Sequence, residues 1–143
     1  DASDGGFSGV RDEGGILATL DFVQSDIYYP TFAEKLCCLV FQFCSGHYFN
    51  DGNKRIALTL GAYFLHQNHY PWEACIFMRQ FEAIVYHVAA SNIDQALLLR
   101  MMRAFIARED YDEALKIDIA KAMSRGKLGF PSEGDNCEGV LIR

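Results

Sequence analysis

Residues 47–55 read His-Tyr-Phe-Asn-Asp-Gly-Asn-Lys-Arg and combine a proton acceptor, a carboxylate and two cations in one short stretch. The His47 imidazole titrates near neutral pH, so it can take a proton from an attacking hydroxyl group. Asp51 offers oxygen ligands of the kind that Mg²⁺ binds together with substrate phosphates. The stretch therefore predicts a site where a phosphate and a metal ion meet a proton acceptor.

The second half of the stretch has the composition of an anion-binding turn. Gly52 can adopt a positive φ, and with Asn53 it forms a turn whose successive backbone N–H groups can surround an anion. Lys54 and Arg55 add positive charge at the start of the next helix, where free N–H groups also favour phosphate. Phe49 is expected to anchor the loop in the core. Each residue also has an ordinary structural explanation when it is taken alone, so the hypothesis depends on their combination.

Two strongly apolar segments flank the loop and must position it. Residues 32–44 are apolar on almost every face, and Thr31 with Glu34 forms a capping-box pattern at their start. Residues 54–68 are apolar on most faces, and Gly46 is expected to end the first helix as a left-handed cap. These patterns predict two buried helices with the loop at one end of the pair.

The rest of the chain up to residue 125 also has helical periodicity. Asp12 is placed to cap a helix that starts near residue 14, and no alternating strand pattern of useful length appears. We therefore predict an all-α fold, with one domain at residues 1–125 and an exposed tail at residues 126–143. The three remaining helices are predicted over residues 72–91, 93–108 and 111–124.

Composition and charge narrow the class of function. Of the 143 residues, 50% are hydrophobic, so the chain can bury a core, and the net charge of −6 argues against a nucleic-acid partner. No apolar run is long enough to span a bilayer and no signal peptide appears, so no membrane partner is expected. Five cysteines without a Cys-x-x-Cys pair indicate buried reduced thiols in a cytoplasmic protein. Three arginines are expected to form a solvated face, with contact to an acidic partner as the alternative: Arg100, Arg103 and Arg108.

The loop resembles the core motif of Fic/Doc (Fido) proteins, His-x-Phe-x-Asp/Glu-Gly/Ala-Asn-x-Arg, with every specified position in register. The resemblance extends upstream to residues 9–14 and 29–35, and it covers residues 9–105 in all. It is nearest to the Doc-like (death-on-curing) branch. By comparison with that family, the chain is expected to lack the first helix of the domain.

The resemblance implies a Fido-type helical bundle with the active loop between two central buried helices. It also implies transfer of part of ATP, or of another nucleoside triphosphate, to a Ser, Thr or Tyr hydroxyl of a target protein. By the same resemblance, His47 is the general base and Asp51 holds Mg²⁺. Gly52 and Asn53 form the anion nest, and Arg55 binds a phosphate.

Lys54 occupies a position at which the family divides. It resembles the Doc branch, which implies transfer of the γ-phosphoryl group, whereas AMP-transferring members usually carry glycine there. AMP transfer with Lys54 as a tolerated surface residue stays open.

The family's inhibitory Ser/Thr-x-x-x-Glu-Gly/Asn pattern does not occur in the chain. Inhibition could therefore come from a separate antitoxin, as in toxin systems of this branch, or from residues before the first. The alternative function is an inactive Fido-fold module that binds a partner protein.

Overall fold

The computed structural model describes residues 9–128 and places six α-helices in this part of the chain. They are α1 (Glu13–Phe22), α2 (Phe32–Ser45), α3 (Asn53–Gln67), α4 (Pro71–Ala89), α5 (Gln95–Ala107) and α6 (Glu113–Leu128). Extended pairing within these residues is limited to one antiparallel bridge between Val10 and Phe49. The predicted all-α fold is confirmed.

Short polar side chains determine where the first two helices begin. Asp12 accepts a hydrogen bond of 2.9 Å from the Gly15 N–H at the start of α1. Thr31 accepts one from the Glu34 N–H, and the Glu34 carboxylate accepts one of 3.0 Å from the Thr31 N–H in return. Both predicted caps are confirmed, because these oxygens satisfy N–H groups that have no partner inside the helix.

Helix α2 lies at the centre of the core and packs against α1, α3, α4 and α5. Its buried side chains include Leu36, Val40 and Phe43, in agreement with its apolar pattern. Helix α3 packs against α2 and α4 but exposes its outer side, where Tyr63 lies. The loop between them therefore joins a central helix to one that is half in the core.

Gly61 permits the close approach of α3 to its neighbours. A Cβ atom at this position would lie 2.6 Å from Phe77 Cε2 and 3.0 Å from Val40 Cγ2. Phe77 is fully buried and stacks on Phe81 with ring centroids 4.8 Å apart, so its ring has no free space to enter. A side chain at position 61 would therefore push the helices apart.

The end of α2 differs from the prediction. Gly46 caps the helix with φ −82° and ψ −10°, which lies in the right-handed region, and the left-handed residue is His47 with φ 55°. Glycine is needed at position 46 for a different reason. A Cβ atom there would lie 2.6 Å from Tyr48 Cε1 and 2.6 Å from the Gln42 carbonyl oxygen. The expected left-handed cap at Gly46 is wrong because the Tyr48 ring packs against that glycine and the chain reverses one residue later.

The four cysteines in the described residues are free thiols. Cys37, Cys38 and Cys44 are buried, and burial raises the pKa of the Cys37 thiol to about 12 and that of Cys44 to about 11. Cys75 is exposed, so the expectation of burial is wrong for that residue. Cys137 lies outside the described residues.

Helix α6 continues to Leu128, so residues 126–128 of the predicted tail are helical, and residues 129–143 lie outside the described part. Residues 1–8 also lie outside it. Between residues 9 and 128, no helix is both long enough and apolar enough to cross a bilayer.

Candidate functional site

The side chain of the first residue of α3 closes the loop that precedes it. Asn53 Oδ1 accepts a hydrogen bond of 3.0 Å from the Phe49 N–H, and Asn53 Nδ2 donates one of 2.9 Å to the Phe49 carbonyl oxygen. Both atoms of the amide group are therefore engaged inside the loop. The group that Asn53 can still offer to an anion is its backbone N–H.

Two neighbouring aromatic residues attach the loop to the core. Phe49 is half-buried and packs against the hydrophobic cluster, as expected of an anchor. Tyr48 lies deeper, with 7% of its surface exposed, and its ring meets Phe43 edge-on at a centroid distance of 5.1 Å. The motif specifies only Phe49, so the deeper burial of Tyr48 has no counterpart in the sequence pattern.

The residues before α1 pair with the loop through the backbone. The N–H groups of Arg11 and Asp12 both donate to the Tyr48 carbonyl oxygen, at 2.7 and 3.0 Å. The Asn50 N–H donates to the Gly9 carbonyl oxygen at 2.7 Å. The upstream segment that shares the resemblance is therefore in direct contact with the loop and limits its movement.

His47 is exposed, and its backbone is in the left-handed region with φ 55°. This conformation is uncommon for residues other than glycine, although histidine tolerates it better than most. The residue lies between Gly46, which ends α2, and the buried Tyr48. The loop thus holds the imidazole on the surface, where a hydroxyl group of another molecule can reach it.

The start of α3 has no side-chain cap. Gly52 is its N-cap residue, with φ 78° and ψ 16°, and it has no side chain to accept a hydrogen bond. The first intrahelical bond runs from the Ile56 N–H to the Gly52 carbonyl oxygen at 2.9 Å. The N–H groups of Asn53, Lys54 and Arg55 precede this bond, so they are free to bind an anion at the positive end of the helix dipole.

An open cleft of about 1550 Å³ adjoins this helix start. Asp51, Gly52, Lys54 and Arg55 are exposed and contribute to its lining, whereas His47 does not. The cleft exceeds the range of about 300–1000 Å³ that is usual for small-molecule pockets, so it has room for more than a nucleotide. The structure brings the carboxylate and the two cations together and places the imidazole outside the cleft.

The other walls of the cleft include an ion pair that the sequence did not indicate. Arg108 Nε donates to Glu73 Oε2 at 2.6 Å, and Glu73 is 3% exposed. The hydrogen bond from Arg108 is the main reason that the pKa of the Glu73 carboxyl lies below its usual value. Arg108 was expected on a solvated face; its side chain is largely exposed, but it is bound to a buried carboxylate. Four aromatic residues also line the cleft: Trp72, Tyr86, Phe105 and Tyr111.

The donor set suits a magnesium ion that arrives with phosphates. Among the residues that the structure describes, no three His, Cys, Asp or Glu side chains converge to hold a metal ion. Asp51 is one exposed carboxylate in the cleft lining. Mg²⁺ commonly binds one or two protein carboxylates and takes phosphate oxygens and waters as its other ligands, so Asp51 fits that role.

Comparison with known proteins supports the resemblance of the loop. The model of the Fic/DOC family matches residues 5–65, which contain the whole loop, α1, α2 and most of α3. This match confirms the family resemblance over that segment and does not distinguish the Doc-like branch from the others. Neither the curated proteins nor the solved structures gave a match.

Proposed function

We propose that this chain, which matches the Fic/DOC family over residues 5–65, is a transferase that moves part of ATP to a protein hydroxyl group. The observation that carries the proposal is the uncapped start of α3, in the same loop as the exposed His47. That helix start opens onto a cleft that also contains Asp51, Lys54 and Arg55.

In the proposed reaction, His47 takes the proton of the target hydroxyl as that oxygen attacks the γ phosphorus of the nucleotide. The bond from that phosphorus to the β-phosphate oxygen breaks, and ADP leaves. In AMP transfer the oxygen attacks the α phosphorus instead, and pyrophosphate leaves. The N–H groups at the start of α3 and the Arg55 guanidinium bind phosphate oxygens and stabilise the charge that develops during transfer. Asp51 would hold Mg²⁺, which neutralises phosphate charge when it is bound. The backbone of Gly52 leaves the approach to these donors open, since a Cβ atom there would meet nothing within 4 Å.

Lys54 supports transfer of the γ-phosphoryl group over transfer of AMP. Its side chain is exposed and lines the cleft directly after Asn53, so it occupies space next to the proposed anion site. A glycine at this position would leave that space open to the nucleotide. The lysine therefore favours a different orientation of the triphosphate, with its terminal phosphate nearest to the attacking hydroxyl.

The test uses ATP labelled at either the α or the γ phosphate, incubated with Mg²⁺, the chain and a cell lysate. Label from γ-labelled ATP on a protein band is expected, and His47→Ala should reduce it by roughly 10²-fold or more. His69→Ala is the matched control, because His69 is also exposed with a positive φ of 73° but lies after α3. The proposal fails if the wild type transfers neither label, or if His47→Ala transfers label as fast as His69→Ala.

The position of the label decides between the two forms of the reaction. Transfer of the α label in place of the γ label by the wild type would mean AMP transfer. Lys54→Gly is expected to shift transfer towards the α label, whereas Lys54→Arg keeps a long cation and should keep the wild-type preference. No transfer together with a stable complex of the chain and a partner protein would favour an inactive binding module.

A further inference from the structure

We infer that Tyr48, through a hydrogen bond to Thr19, is a positioning residue that holds the loop in the shape required for transfer. The inference rests on the proposed function, because it assigns to Tyr48 the placement of the adjacent His47. The loop motif leaves position 48 unspecified, and the role of Tyr48 follows from its contacts in this chain.

The hydroxyl groups of Tyr48 and Thr19 lie 2.6 Å apart, and both residues are buried, at 7% and 6% exposed. Thr19 is in α1, so the bond connects the loop to a helix that lies 29 residues earlier in the chain. A buried hydroxyl group without a hydrogen-bond partner destabilises the fold by about 1–3 kcal/mol, so the hydrogen bond between the two hydroxyl groups is strongly favoured. The bond therefore fixes the position of the Tyr48 ring relative to α1.

Two glycines form a close-fitting slot for the ring. A Cβ atom on Gly15, in the first turn of α1, would lie 2.6 Å from Tyr48 Cε1, and a Cβ atom on Gly46 would lie equally close. The Phe43 ring meets Tyr48 edge-on from α2. The ring is therefore enclosed between α1 and the end of α2.

The backbone of Tyr48 is also held by residues at the start of α1. Its carbonyl oxygen accepts hydrogen bonds from the N–H groups of both Arg11 and Asp12. The next residue, Phe49, is held by the amide group of Asn53, the first residue of α3. The loop is thus attached to α1 through Tyr48 and to α3 through Asn53.

His47 itself has no such attachment in the described residues, because its side chain is exposed and no hydrogen bond to it is observed. Its position therefore depends on the two residues beside it. Tyr48 is the only one of the two with a side chain, so a change in the Tyr48 ring position is transmitted to the backbone of His47. A displacement of about 1 Å in a reacting group can reduce a rate by 10²-fold.

The experiment compares Tyr48→Phe, Thr19→Val and the double variant in the labelled-ATP assay, below their melting temperatures. Each single variant is expected to lower kcat about tenfold and to change the KM for ATP by less than about twofold. The double variant should be no slower than the slower single variant, because all three lack the same hydrogen bond. Tyr70→Phe is the matched control, since Tyr70 is half-buried against Phe32 and no partner for its hydroxyl is observed in the described residues.

Amide hydrogen exchange tests the same inference without activity. Loss of one buried hydrogen bond should accelerate exchange of the Phe49 and Asn50 N–H groups about two- to tenfold in Tyr48→Phe, with no change at the N–H groups of α5. If the wild type is inactive but this acceleration is found, the proposed function fails and the structural inference stands. Unchanged loop exchange in Tyr48→Phe, or a kcat equal to that of Tyr70→Phe, would overturn the inference.

Discussion

Replacement of Asn53 by alanine should loosen the loop by an amount that follows from its two hydrogen bonds. The Asn53 amide group accepts from the Phe49 N–H and donates to the Phe49 carbonyl oxygen, both in a partly buried position. A hydrogen bond inside a protein contributes about 0.5–1.5 kcal/mol, so the loss of two predicts a decrease of about 1–3 kcal/mol in the free energy of unfolding.

Asn68→Ala provides the matched control. Asn68 also donates its side-chain N–H to the carbonyl oxygen four residues earlier, at 2.8 Å from Phe64 O, but it does so on the surface at the end of α3. Because Asn68 makes one exposed hydrogen bond, Asn68→Ala is expected to lower the free energy of unfolding by less than about 1 kcal/mol.

Urea unfolding at equal m-values measures the difference, and Asn53→Ala should be the less stable variant by about 1–2 kcal/mol. For a chain of this length, that corresponds to a melting temperature lower by roughly 3–8 °C. Asn53→Ala should also transfer label more slowly than Asn68→Ala at a temperature where both are folded. Equal stability of the two variants would refute the assignment of the Asn53 side chain to the loop.

Two further predictions concern the core and the cleft. Gly61→Ala should lower the free energy of unfolding by about 1–2 kcal/mol in urea, because the new methyl group meets Phe77, while Gly14→Ala, with its nearest neighbour at 3.7 Å, should not lower it. A Gly61→Ala variant as stable as Gly14→Ala would contradict the close packing of α3. The hydrogen bond from Arg108 lowers the pKa of Glu73 from its usual 4.5. The ion pair therefore stabilises the fold above pH 4.5, and this stabilisation is lost as the pH falls through the lower pKa of the folded state. Unfolding at several pH values below 4.5 should therefore show a smaller loss of stability for Glu73→Gln than for the wild type, and equal slopes would argue against the pair.

The features that the sequence predicted well depend on neighbouring residues. The cap of α2 by Thr31 and Glu34 was predictable because both partners lie within one helical turn. The all-α fold was predictable because the apolar periodicity of the helices is strong. The position of Asp51 beside two cations follows from the loop motif in the same way.

The features that the sequence did not indicate depend on distant residues. Tyr48 is buried because Thr19 in α1 supplies its hydrogen-bond partner, and the motif leaves that position free. Glu73 is buried because Arg108 reaches it from a position 35 residues later. Neither pair produces a periodic or local signal in the sequence. Glu73 in the first turn of α4 and Arg108 after the end of α5 therefore both resemble solvated residues.

The left-handed backbone at His47 means that the loop is less stable than it would be with another residue. A residue with a Cβ atom pays roughly 1–2 kcal/mol to occupy this region, whereas glycine occupies it freely. Glycine, however, has no group that can accept a proton. Stability would favour glycine at position 47, whereas the proposed reaction needs histidine there. The hydrogen bonds from the loop to α1 and α3 offset the cost of the left-handed backbone. A substitution of His47 by glycine that is chosen for stability alone would remove the proposed base.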